Sequence, residues 1–146
     1  MRRFLVAISL IMLAAMAASA AAGQSSASAP AFVNVLANAR FVYVASFDGD
    51  EFNPDLLPED RNAIEAVQTA IQQWGKLVIV YQPAVADVVL LVSSRPGEDV
   101  IAAFDARSWE RGNYVWRAMA REGLQRGETP LVTQFEKVFE SVQPQH

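Results

Sequence analysis

The chain has 146 residues, with 12 basic and 16 acidic side chains, no Cys and one His. That is the length of one ordinary domain, and 52% apolar against 19% charged residues supplies enough apolar surface for a core, which excludes disorder over most of the chain. The absence of Cys excludes a disulfide scaffold, a thiolate zinc site, a thiol nucleophile and a lipidated cysteine. The one His, His146, is the last residue, so His-based metal sites and His-dependent triads lack their residues.

Residues 1–20 read as a secretory signal peptide. Arg2 and Arg3 form a positive start, Phe4 to Ala18 carries no charge, and Ala18-Ser19-Ala20 offers the small residues of a cleavage site. The rival reading is a retained membrane anchor, but the second half of the segment is rich in Ala and only weakly apolar. Export predicts a periplasmic or extracellular protein with no permanent membrane anchor after cleavage. Loss of Arg2 and Arg3 leaves 10 basic against 16 acidic residues, a net of −6. Such a domain repels phosphate backbones, so nucleic acid is not expected as a partner.

Residues 21–31, which include Gly23-Gln-Ser-Ser-Ala-Ser-Ala-Pro30, are small and polar and read as a flexible lead. Residues 32–142 read as a single α+β domain, and 143–146 as a frayed terminus. Arg40 to Phe47 is rich in β-branched and aromatic residues and predicts a first strand. Asp48 to Leu57 gathers Asp, Gly, Asn and Pro and predicts a loop. Pro58 suits a first helical position, Glu59 and Asp60 complement the positive helix end, Ile64, Val67, Ile71 and Trp74 form a stripe, and Gly75 suits a left-handed cap. Lys76–Tyr81 and Asp87–Val92 predict two strands whose continuous apolar runs imply central positions or two covered faces. After a turn at Arg95-Pro96-Gly97-Glu98, Val100–Ala106 and Tyr114–Ala120 predict an antiparallel hairpin, with Trp109 and Trp116 near its ends. Thr129 and Pro130 open a last helix with its stripe on Leu131, Phe135, Val138, Phe139 and Val142. The expected order is β-α-β-β-β-β-α: a mixed five-stranded sheet with two helices packed on one face. The first helix joins a parallel pair of strands, and the remaining pairs are expected to be antiparallel.

The run Asp60-Arg61-Asn62-Ala63-Ile64-Glu65-Ala66-Val67, then Trp74-Gly75, a strand, and Ala86-Asp87-Val88-Val89-Leu90 resembles small exported bacterial domains of the TolB N-terminal type and of the periplasmic part of the curli secretion channel. The stretches Phe104-Asp105-Ala106-Arg107, Val115-Trp116-Arg117 and Thr129-Pro130-Leu131-Val132 resemble short uncharacterised exported proteins of soil bacteria. The resemblance covers most of residues 38–142 and implies envelope assembly or protein binding. It brings no catalytic residue with it.

Candidate sites follow from residue type. The loop from Asp48 to Asp55 offers hard oxygen ligands suited to Ca²⁺, but its spacing departs from the EF-hand pattern, and a solvated loop with Asx turns has the same composition. Asp87 stands at a strand start, where it is either a strand-end catalytic carboxylate or an acceptor for backbone N–H groups. Asp105 lies in the fourth strand, where Arg107 and Arg117 are expected to face it across the hairpin. Ser93, Ser94 and Ser108 lack a nucleophile elbow and a base. The glycines are scattered and form no phosphate loop. Arg107, Trp109, Tyr114, Trp116 and Arg117 interleave cations with aromatics and form the candidate partner surface; strand alternation alone, with Trp inward and Arg outward, gives the same pattern. No cofactor or metal is expected. The leading expectation is a non-enzymatic exported domain that binds a protein or envelope component. The alternative is a small ligand-binding protein or carboxylate-dependent enzyme using Asp48, Asp50, Asp87 or Asp105.

Overall fold

The computed structural model describes residues 29–145, so the expected leader, the first part of the expected flexible lead and His146 lie outside the described residues. Three helices and five strands follow in the order α1 (Ala29–Leu36), β1 (Phe41–Ser46), α2 (Pro58–Trp74), β2 (Val78–Val80), β3 (Val88–Arg95), β4 (Glu98–Asp105), β5 (Tyr114–Ala120) and α3 (Pro130–Val142). The α+β class and the mixed five-stranded sheet stand as expected. The sheet runs β2-β1-β3-β4-β5.

α2 begins at Pro58 and ends where Gly75 takes φ 77° and returns its N–H to Ile71 O, a conformation that costs glycine little. Its stripe of Ile64, Val67 and Ile71 is fully buried. α3 opens at Pro130 as expected, although the Thr129 side chain makes no capping hydrogen bond.

Four features depart from the sequence reading. First, α1 forms across the end of the expected lead and the first residues of the expected domain, where no helix is expected, because Phe32 and Leu36, four residues apart, bury in the main core. The helix-covered face therefore carries three helices, not two. Second, β1 pairs in parallel with both β2 and β3. After β2 the chain crosses back to the other side of β1 through a single helical turn at Pro83–Val85, so only the β3-β4 and β4-β5 pairs are antiparallel. Third, β2 is a three-residue edge strand with Val78 exposed; of the two continuous apolar runs, only β3 is central. Fourth, the β4-β5 ladder shifts register at Ala103/Phe104, where Trp116 faces Ala103 and Tyr114 faces Phe104.

That bulge reorders the side chains of β5. An extra residue in one strand sends two neighbours to the same face, and both Val115 and Trp116 enter the main core. This core lies between the sheet and the helices and holds Phe135, Leu131, Ile64, Ile71 and Trp116 among its largest members. Trp116, Phe135, Phe139 and Trp74 form a chain of tilted and edge-on rings with centroids 5.0–6.4 Å apart. The opposite face has a second, smaller cluster of Tyr43, Ala45, Val89, Leu91, Ala102 and Phe104. Among the described residues no α-helix covers it; the segment between β4 and β5, with a single 3-10 turn at Trp109–Arg111, folds back over it and sets Trp109 6.5 Å from the Tyr43 ring. Among the described residues no helix is long and apolar enough to cross a membrane.

Candidate functional site

The helix-free face carries a groove of about 650 Å³, within the range of roughly 300–1,000 Å³ typical of ligand sites. Leu91 of β3 and Val100 and Phe104 of β4 form its floor. Phe47, just past β1, walls one side; Trp109 and Tyr114 wall the other. Phe47 and Tyr114 each meet Phe104 edge-on, at 6.4 and 6.5 Å, yet they remain 49% and 37% exposed. Two guanidiniums, Arg95 and Arg117, and two carboxylates, Asp48 and Glu110, reach the groove.

Arg95 is held from below. Its Nη1 donates to Asp60 Oδ1 at 2.8 Å, and its Nη2 donates to Asp48 Oδ2 at 2.6 Å. Asp60 is wholly buried at the start of α2 and also accepts the Ser94 N–H at 2.8 Å. The Ser94 hydroxyl donates to Asp99 Oδ1 at 2.7 Å, and Asp99 Oδ2 accepts the Leu124 N–H at 2.9 Å. One buried carboxylate oxygen, Asp60 Oδ2, has no hydrogen-bond partner among the described residues; Asp60 is held by Arg95 and the Ser94 amide through Oδ1. The hydrogen bond to Asp60 raises the pKa of Arg95, and the charges of Asp60 and Asp48 add to it, so the guanidinium stays cationic and fixed. Burial, with Asp50 and Glu51 nearby, likewise raises the Tyr43 phenol, which keeps its proton behind the groove.

Arg117 is different: among the described residues it has no salt bridge or side-chain hydrogen bond. It pairs in register with Ala102, not Asp105, so the expected cross-strand contact with Asp105 does not form. Arg107 lies beside Asp105 at 3.7 Å, within the same turn.

The five residues of the expected partner surface therefore separate. Trp109, Tyr114 and Arg117 meet at the groove. Trp116 is only 4% exposed and packs on Phe135 from the other side of the sheet; the bulge turns it inward and removes it from the surface. Arg107 lies beyond Trp109, on a smaller hollow of about 370 Å³ with Pro83 and Ala84. Phe47 and Arg95 complete the groove but carried no sequence signal as site residues. Phe47 read as a strand end and Arg95 as a turn residue; their meeting depends on β3 pairing in parallel beside β1.

The four candidate acids are not gathered in one enclosed site. Asp48 is bound to Arg95. Asp50 closes an Asx turn on the Phe52 N–H, and Asn53 does the same for Asp55. Arg61 ties this loop to α2 through Glu51 O and Asn53 O. Asp87 accepts the N–H groups of Arg40 and Phe41 at 2.9 and 3.0 Å, so it pins the start of β1 across the sheet. Asp87 and Asp105 share a hollow of about 130 Å³ with Arg107, and the Asp105 carboxylate accepts the Arg107 N–H. No group of three or more metal-ligating side chains occurs among the described residues.

Comparison with protein-family models, with curated proteins and with solved structures gives no match in any of the three.

Proposed function

We propose that this chain is an exported, non-enzymatic binding domain that engages a protein or other envelope component at the helix-free face of its sheet. One observation carries the reading: a groove walled by half-exposed Phe47 and Tyr114, floored by buried apolar residues and flanked by Arg95 and Arg117. Aromatic side chains and Arg dominate the energetics of protein interfaces: the rings bury large area on few rotatable bonds, and the planar guanidinium stacks and donates several hydrogen bonds. Half-exposed rings on a rigid floor are ready for such burial. The likeness of the Ala86-Asp87-Val88-Val89-Leu90 stretch to exported envelope domains, and the leader-like residues 1–20, support the same assignment to the periplasm or exterior.

Site-specific photo-crosslinking tests it. With a photoreactive side chain at position 47 or 114 of the full chain, expressed in its native host, a discrete adduct is expected. The same probe at Gln72 or Thr133, exposed on the helices, is expected to give none. No adduct at 47 and 114, or equal adducts at all four positions, would refute the proposal. The groove's volume also favours a small ligand as a second reading; in that case a thermal-shift screen would raise the melting temperature while the crosslinks captured no protein.

A further inference from the structure

We propose that the outer edge of β5 accepts an extended, acidic segment of a partner protein as an additional strand, whose inward side chains enter the adjacent groove. This rests on the reading of the helix-free face as the recognition surface and names the form in which the partner arrives.

The two edges of the sheet are unequal. β2 is a three-residue edge, whereas β5 has seven residues and, among the described residues, pairs with β4 alone. Among the described residues, no backbone hydrogen bond outside its ladder and no side-chain hydrogen bond involves Tyr114 to Ala120. Among the described residues the outward N–H and C=O groups of β5 thus have no partner, and they offer an edge to a further strand. The register places Tyr114 opposite Phe104, Arg117 opposite Ala102 and Met119 opposite Val100, so these three share the groove face. All three are exposed, Met119 at 49%. An apolar and cationic track thus continues from the groove along the strand, which suits an extended chain better than a compact ligand.

Charge selects the occupant. Arg117 is the middle residue of β5 and its only charged one. If a second copy added to this edge antiparallel about a two-fold axis, Arg117 would stand opposite its own counterpart, and like charges directly opposite one another oppose pairing. A strand with Asp or Glu at that position instead gains an opposite-charge pair, while apolar residues on either side of the acid cover Tyr114 and Met119. In that centred register Arg117 disfavours self-addition and favours a strand with an acid opposite it.

The test uses two synthetic peptides of residues 113–121, one native and one carrying R117E, titrated into the full chain and into its R117E variant, with amide hydrogen exchange followed in β5. The native chain is expected to bind the R117E peptide roughly fivefold to tenfold more tightly than the native peptide. Exchange in Tyr114–Ala120 is expected to slow on binding, and the preference to shrink in high salt. The R117E chain is expected to reverse the preference; position 117 is exposed, so the substitution disturbs no core contact. Equal affinities, no slowing in β5, no reversal, or tighter binding to phosphatidylglycerol vesicles than to either peptide would overturn the proposal. If it fails while positions 47 and 114 still crosslink a partner, strand addition is wrong and the groove reading survives; if those crosslinks are also absent, both fall.

Discussion

The two faces of the sheet are made by the same five strands and have opposite fates. On one face α1, α2 and α3 close over Phe135, Ile64, Ile71 and Trp116, and the largest side chains are sealed from water. On the other face the buried set is smaller, Trp109 provides the main aromatic cover, and Phe47, Tyr114 and Met119 remain open. The difference shows a division of labour within one sheet. The covered face concentrates the apolar burial that holds a domain of this size together, leaving the bare face free to keep aromatic surface uncovered.

The contrast can be broken most severely at Phe135, which is fully buried and touches Trp74, Trp116 and Phe139. Phe135→Ala is expected to cost about 3–5 kcal/mol, read from urea unfolding. Next in size is Arg95→Ala, which leaves buried Asp60 with only the Ser94 N–H. The expected loss is about 2–3 kcal/mol, below that of a fully buried pair because the Arg95 side chain is 40% exposed. Trp109→Ala, which removes a half-buried ring, is expected to cost about 1–2 kcal/mol and to abolish the crosslinks at positions 47 and 114. Phe47→Ala is expected to change stability by less than about 0.5 kcal/mol while weakening partner binding. The four values rank covered face, network, lid and rim, and any inversion of that order would blur the contrast.

A smaller effect sharpens it through pH. Glu140 accepts hydrogen bonds from the Trp74 indole N–H and from Lys76, both at 3.0 Å. These contacts hold its carboxyl below the usual value of 4.5, the Trp74 bond first. A depressed folded-state value contributes stability above the unfolded pKa, and that stability is lost as pH falls through the folded one. Glu136, four residues earlier, shifts upward through burial and the charge of Glu140; its contribution is therefore present at low pH and lost as pH rises through its raised value. Glu140→Gln is expected to flatten acid unfolding below about pH 4.5, monitored by Trp fluorescence, and Glu136→Gln to stabilise slightly at neutral pH.

Local pattern made much of this legible. α2, α3 and β5 sit where Pro58, Pro130 and the stripes place them, because caps and 3.6-residue periodicity act within the segment itself. The α+β class follows from the same elements. Non-local features were hidden. α1 owes its burial to Phe32 and Leu36 finding the sheet, which a run of small polar residues just before them conceals. The parallel β1-β3 pair depends on which side of β1 the chain returns to. The bulge that separates Tyr114 from Trp116 breaks the alternation by which both would share a face. Asp60, legible as a first-turn acid favoured by the helix dipole, is instead the buried anchor of Arg95, since its partner lies 35 residues away. Of the candidate site, Trp109, Tyr114 and Arg117 were visible as interleaved aromatic and basic residues; Phe47 and Arg95 required the topology.

The most direct measurement is the urea unfolding free energy of the triple variant Phe47→Ser/Tyr114→Ser/Met119→Ser. If the bare face is spare to the fold, the triple variant stays within about 1 kcal/mol of the native chain. A loss as large as that of Phe135→Ala alone would mean that these side chains hold the domain together, and that the bare face is structure, not a place for a partner.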